Sequence, residues 1–168
     1  MKKTVKLLGV DKMVKNLNKE VAAIEGRTLK GMILAAIIIR RSMETTSPKI
    51  PIDLGNLRAS FFIMTTEGEL KDVEFKGPES SKLAADHSSL VSSVKAVIAG
   101  TGYPVLIMGF SANYAVFVHE NMEARFYRPD APKGKKGRPG SGPKFFEAAI
   151  QRNKKGTLEI IAKHAKIK

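Results

Sequence analysis

From Val10 onward the apolar side chains fall at Val10, Val14, Leu17, Val21 and Ile24, in alternating steps of four and three. The same phase continues through Thr28, Gly31, Ala35 and Ile38. A repeat of that period draws one apolar stripe along a helix, and Lys12, Lys15, Lys19 and Glu20 occupy its other faces. Asp11, near the start, suits the positive end of the helix dipole. The pattern stops at Glu44-Thr-Thr-Ser-Pro48, because proline cannot continue a helix and biases the residue before it away from helical angles. A long amphipathic N-terminal helix is therefore the first element to place. Gly26 and Gly31 lie inside it at a cost of about 1 kcal/mol each relative to Ala, so they mark a bend or a close helix approach.

Beyond Pro48 the pattern changes to short strand-forming runs. Ser60 to Thr66 (SFFIMTT) reads as a strand, Glu67-Gly-Glu as a reversal, and Leu70 to Lys76 as the return strand of a hairpin. Gly77 to Ser93 is small, polar and weakly periodic; it reads as an insertion with a short helix around Lys82 to His87. Val94 to Ala99 and Val105 to Phe110 read as two further strands joined by Gly100-Thr-Gly-Tyr-Pro104. Ser111 is a candidate N-cap for a short helix carrying Tyr114, Phe117 and Val118. Residues 121 to 143 hold four Pro and four Gly among basic side chains, too polar and broken to bury a core, and read as a mobile basic arm. A final helix follows from Lys144, with a weak point at Gly156. The expected fold is α+β. An antiparallel sheet of three to four strands packs against the long N-terminal helix and the C-terminal helix, with a short helix after the last strand.

At 168 residues the chain fits a single domain spanning 1–168, long enough to bury a real core. It has no cysteine, which removes disulfides, thiolate metal sites and cysteine nucleophiles and suits a reducing cytosol. The apolar stretch near the N-terminus, Leu7 to Val10, is too short for an export signal. Met32 to Ile39 is wholly apolar but spans eight residues, against the roughly 20 that cross a bilayer; it reads as a buried helix turn or an oligomer contact. The formal net charge is +13, a field that favours polyanions or acidic protein surfaces. Most of it belongs to residues 121–168, where 13 Lys and Arg face 4 acids, against 16 and 12 in residues 1–120.

Chemistry is hard to find. His87, His119 and His164 lie in separate segments without metal-ligand spacing, so neither a metal nor a cofactor is expected. His119-Glu120 has no nucleophile motif beside it, and Asp86-His-Ser-Ser89 reads as a solvated turn. Gly100-Thr-Gly lacks the third glycine, the lysine and the helix of a phosphate loop. The chain is not expected to be an enzyme. Arg125, Arg128, Lys133, Lys135, Lys136 and Arg138 could contact phosphates nonspecifically or dock on a protein partner.

Three short motifs occur in an order that resembles a known family. They are Pro51-Ile-Asp-Leu-Gly-Asn-Leu-Arg-Ala-Ser60, Tyr114-Ala-Val-Phe-Val-His-Glu120 and Pro143-Lys-Phe-Phe-Glu-Ala-Ala149. Together with the N-terminal helix, they resemble the minor capsid, neck and tail-completion proteins of tailed bacteriophages of the HK97-like type, over nearly the whole chain apart from the insertion at about 77–93. Leu54 stands where the family commonly has Thr, and His119-Glu120-Asn121 where it has Glu with Gly. The resemblance implies a structural virion protein without catalysis, a ring-forming head-tail connector or tail-completion subunit assembled in the host cytoplasm. Its implied partners are its own copies in a ring, a hexamer as the first expectation, an adjoining head-completion, tail-terminator or tail-tube protein, and packaged DNA by nonspecific contact, with no membrane. It marks Pro51, Asp53, Gly55, Leu57, Arg58, Tyr114, Phe145 and Phe146 as the turn and interface signature, and the arm's cations as lumen or partner contacts. Asp53 is expected to cap the turn, Gly55 to take a left-handed angle, Leu57 to plug the core and Arg58 to offer its fork to a carboxylate in the domain or on the next subunit. The alternative is a small basic nucleic-acid-binding protein.

Overall fold

The computed structural model describes residues 10–70, 74–132 and 137–166. Helix α1 (Val10–Thr45) leads to a single turn α2 (Asn56–Ala59), strands β1 (Phe61–Thr65) and β2 (Gly68–Leu70), helix α3 (Ser80–Ala99), strand β3 (Leu106–Phe110), short helix α4 (Ala115–Glu120) and helix α5 (Phe145–Ala165). The sheet order is β2-β1-β3, antiparallel throughout. The fold is α+β, with a long N-terminal helix, a three-stranded antiparallel sheet and a C-terminal helix packed against the N-terminal one.

The central strand explains the layering. Side chains alternate across a strand, and all five residues of FFIMT are buried, so both sheet faces must be covered. Phe61 and Ile63, with Met108 and Phe110 across the pairing, pack against Ala36, Ile39 and Met43 of α1 and Phe145 and Ala149 of α5. Phe62 and Met64 face the other way, against Val91, Val94 and Ile98 of α3.

That second layer corrects the sequence reading. Val94 to Ala99 is not a strand, and Gly77 to Ser93 is not a polar insertion with one helical turn; residues 80–99 form one helix. Leu83, His87, Val91, Val94 and Ile98 recur at steps of four and three, and Leu83, His87 and Ile98 are buried. Four serines between them, Ser88, Ser89, Ser92 and Ser93, diluted the stripe, and the β-branched run at its end imitated a strand. β2 is also displaced: it occupies Gly68–Leu70, beginning inside the expected reversal, and overlaps the expected return strand Leu70 to Lys76 only at Leu70; residues 71–73 lie outside the described residues, and 74–76 are not in the sheet. Helix α5 runs through Gly156 without a break.

α1 has 36 residues and so extends about 54 Å, while a compact chain of this length has a radius of gyration of about 15 Å. The helix must overhang. Residues 11–23 are exposed on every face, whereas Leu29, Ala35, Ala36, Ile39 and Met43 are buried. The two glycines of α1 then separate. A Cβ on Gly31 would lie 3.0 Å from both the Ile161 Cα and the His164 Cβ of α5, while one on Gly26 meets nothing within 4 Å. Gly31 is a close helix approach and Gly26 only a helix-propensity cost. Gly26→Ala is therefore expected to raise stability by about 0.5–1 kcal/mol, and Gly31→Val to lower it by about 1–3 kcal/mol through overpacking, read as opposite shifts of the thermal midpoint.

The arm is less free than its composition suggests. Tyr127 and Gly137 form an antiparallel bridge, and Lys49 and Ser141 a parallel one. Lys49 N–H donates to Gly140 O at 2.8 Å, and Arg138 Nη2 donates to Glu44 O. Arg152 of α5 adds bonds to the carbonyls of Ser42, Thr46 and Ser47 at 3.0–3.4 Å. Two guanidiniums from distant parts of the chain thus serve the last carbonyls of α1, where a cation also favours the helix dipole. The chain leaves α1 through a cis Ser47-Pro48 bond.

Candidate functional site

The signature turn is built around Gly55, which has φ +90° and leads into α2. Leu57 is 6% exposed and joins the core, and Ala59 and Ser60 are fully covered. Ser60 Oγ donates to Leu57 O at 2.8 Å, and its carbonyl accepts the Ser111 N–H at 2.9 Å. The small-residue step is thus a crossing point between the turn and the end of β3, with no room for a larger side chain.

The expected cap is not made by Asp53, which is exposed; α2 has no side-chain cap bond. Asn56 takes over the anchoring instead. Its Nδ2 donates to Lys76 O and its Oδ1 accepts the Lys76 N–H, both at 2.8 Å, so one side chain replaces two ladder bonds. Replacing Asn56 by Ala should cost about 1–3 kcal/mol, since it strands both backbone groups of Lys76; denaturant unfolding would measure it.

Arg58 is half-buried at the mouth of a small cleft shared with Arg40, Glu44 and Phe61. Its Nε is buried without a hydrogen-bond partner, and no carboxylate among the described residues pairs with it. Pro51 is half-buried on the approach to the turn. Tyr114 is partly exposed and lines a groove of about 220 Å³ with Leu54, Lys82 and Asp86. Burial first, then the nearby Asp53 charge, push its hydroxyl above the ordinary tyrosine value. Phe145 lies wholly in the core and Phe146 is half-buried beside Phe61 and Phe110. Neither offers a free ring at the surface.

Three polar clusters complete the geometry. His87, expected in a solvated turn, is 4% exposed on α3. Its Nε2 lies 2.6 Å from Glu69 Oε1 and its Nδ1 2.8 Å from Ser111 Oγ. In the neutral imidazole, Nε2–H donates to the carboxylate and Nδ1 accepts the hydroxyl proton. The residue types are those of a hydrolytic triad, but Phe62 and Phe75 flank the ring edge-on at 6.1 and 5.8 Å. The histidine is sealed inside and ties α3 to β2 and to the end of β3. Ser111 serves this bond and not the cap of α4, which starts at Ala115 after Tyr114.

His119 and Glu120 do meet, Nδ1 to Oε1 at 2.7 Å, and Lys144 Nζ lies 2.5 Å from Glu120 Oε2. The hydrogen bond from Lys144, followed by that from His119, holds the Glu120 carboxyl below its ordinary value, and the Lys144 ammonium is raised in return, chiefly by Glu120. Lys144 takes φ +56° and donates its N–H to His119 O at 2.8 Å, so this cluster orients the entry to α5. Among the described residues no group of three or more His, Asp or Glu is placed to hold a metal ion, and no helix is long and apolar enough to cross a membrane.

What remains open is surface. Met13, Val14, Leu17 and Val21 project from the overhanging part of α1, with Leu17 61% exposed. At the far end of the fold, Val116, Phe117 and Met122 are about as exposed, because Ala112, Ala115 and Val118 form the covered face of this segment. Compared with protein-family models, curated proteins and solved structures, the chain has no match. Of the arm's cations, Arg125 and Arg128 are exposed, Arg138 is engaged with α1, and Lys133, Lys135 and Lys136 lie outside the described residues. Asn56 and Arg152 were not singled out from the sequence, His87 was read as part of a solvated turn, and Phe117 was read only as a helix residue. Only His87 carried a readable signal, its place on the stripe of α3.

Proposed function

We propose that this chain is a structural subunit of the neck of a tailed bacteriophage, a ring-forming head-tail connector or tail-completion component. The observation that carries the reading is the overhanging half of α1, where Val14, Leu17 and Val21 of the apolar stripe are exposed and none of the described elements is packed on them. Fully burying Val14, Leu17 and Val21 would contribute roughly 1.5–3 kcal/mol each, which is a reason for such a helix to meet another subunit. The three ordered motifs support the choice of family. The unpartnered Arg58 Nε supports a contact completed by a carboxylate from a neighbouring subunit.

The test is the solution mass of the purified chain by light scattering over a concentration series at low and moderate salt. A discrete multimer that survives moderate salt supports the ring. The exposure of Arg125 and Arg128 favours a second reading, a basic nucleic-acid-binding protein. A monomer at every concentration, with DNA affinity falling steeply as salt rises, would support that reading instead.

A further inference from the structure

We propose that the solvent face of α1 carries a contact for the phosphate backbone of nucleic acid, formed by a row of Lys12, Lys19, Lys30 and Arg41. The proposal goes beyond the ring reading and does not depend on it. The four residues stand 7, 11 and 11 positions apart. At 3.6 residues per turn these steps bring them within about 40° of one line along the helix, and at 1.5 Å per residue the line runs about 44 Å. All four are exposed, and none of their side chains has an ion pair or hydrogen bond among the described residues. Ala23 and Ile37 share the line, and Gly26 borders it, where an added Cβ would meet nothing within 4 Å. The stretch between Lys19 and Lys30 is therefore low and open.

The row is the uncompensated charge of the molecule. Of the four acids of α1, Asp11, Glu20 and Glu25 lie about 80° or more around the helix from the middle of the row. The fourth, Glu44 at its end, is held by Arg40 at 3.8 Å. Lys15, one turn from Asp11, lies off the row. Elsewhere the exposed charge is mixed. Asp86 stands one turn from Lys82 on α3, and Glu159 one turn from both Lys155 and Lys163 on α5. In the described part of the basic segment, Glu123 and Asp130 balance Arg125 and Arg128.

A long, straight line of cations fits a linear polyanion. Binding to a nucleic-acid backbone comes from phosphates neutralised by Lys and Arg and needs no apolar anchor, whereas a protein interface is built around buried aromatic and aliphatic side chains. A lipid surface fits less well. The apolar residues that would enter it, Val14, Leu17 and Val21, lie on nearly the opposite side of α1, and only Leu34 and Ile37 border the row. The same opposition leaves the row free when a neighbouring subunit covers the stripe.

The test measures binding of the full chain to a fluorescently labelled DNA duplex of about 24 base pairs, roughly 80 Å and so longer than the row, between about 50 and 200 mM salt. The row variant combines Lys12→Gln, Lys19→Gln, Lys30→Gln and Arg41→Gln, which keep helix propensity. A control variant combines Lys82→Gln, Lys95→Gln, Lys154→Gln and Lys155→Gln, the same loss of charge at other exposed positions. For the native chain the logarithm of affinity should fall against that of salt with a slope of about −4 or steeper. The row variant should flatten that slope by about 3–4 and weaken binding about a hundredfold at the lowest salt, and the control should flatten it by no more than about 1. A native chain that leaves the duplex unbound, or prefers polyglutamate to it, overturns the proposal. A control that loses as much as the row variant overturns it too, because the charge then acts diffusely. By light scattering the row variant should keep the native mass; loss of a native multimer would make the row a subunit contact and overturn the proposal. A native monomer with the expected slopes overturns the ring reading alone.

Discussion

Replacing Phe145 by Ala is expected to lower stability by about 3–5 kcal/mol, a large part of the roughly 5–15 kcal/mol available to a domain. Phe145 is completely buried at the first turn of α5. Its ring meets Phe110 edge-on at 5.7 Å and His119 at 5.1 Å, so it joins the sheet, α4 and α5 at one point. Truncation removes the transfer energy of the ring and leaves a cavity that three separate elements cannot easily collapse to fill. The urea midpoint should fall with little change in slope, and the thermal midpoint by roughly 6–20 °C for a chain of this size. Phe146→Ala, at a half-buried position, should cost less. A loss below about 2 kcal/mol for Phe145→Ala would contradict the packing described.

The second large effect is expected at His87. His87→Ala should cost about 2–4 kcal/mol, from the cavity beside Phe62 and Phe75 together with the lost bonds to Glu69 and Ser111. A packing role and a hydrogen-bonding role separate in a double-mutant cycle. If the imidazole works through Glu69, the loss for His87→Ala with Glu69→Ala falls short of the sum of the single losses by about 0.5–3 kcal/mol. Strict additivity would leave His87 as a space-filling side chain only. Either result bears on what holds a histidine with a serine and a carboxylate beside it in the core. The three groups are fastened to one another behind two phenyl rings.

Several elements were legible because their signals are local. The stripe at Val10 to Ile24 and the stop at Pro48 place α1, since side chains three and four apart share a helix face and proline ends the hydrogen-bond ladder. Phe61 to Thr65 reads as a strand, Gly68 permits the reversal, and Phe145 to Ile150 opens a helix. α3 was misread because the helical positions His87, Val91 and Val94 are spaced by serines, which carry little weight in a periodicity, while Val94 to Ala99 suits strand and helix equally. The arm was read as mobile because composition records its glycines and prolines but not Arg138 reaching Glu44 O.

The candidate site was legible in part. Gly55 and Leu57 occupy the places their residue types suggest, whereas Asp53 gives way to Asn56, whose two bonds reach Lys76 twenty residues on. Phe145 and Phe146 belong to the expected turn and interface signature; Phe145 lies wholly in the core and Phe146 is half-buried. By itself the sequence determined the long helix, its stop, the central strand and the concentration of positive charge toward the C-terminus, all of which depend on neighbours within a few residues. Only the tertiary structure decided that one half of the α1 stripe is covered by α5 and the sheet while the other half overhangs in the open. Periodicity creates an apolar face, but whether that face is buried depends on what the rest of the chain is long enough to reach.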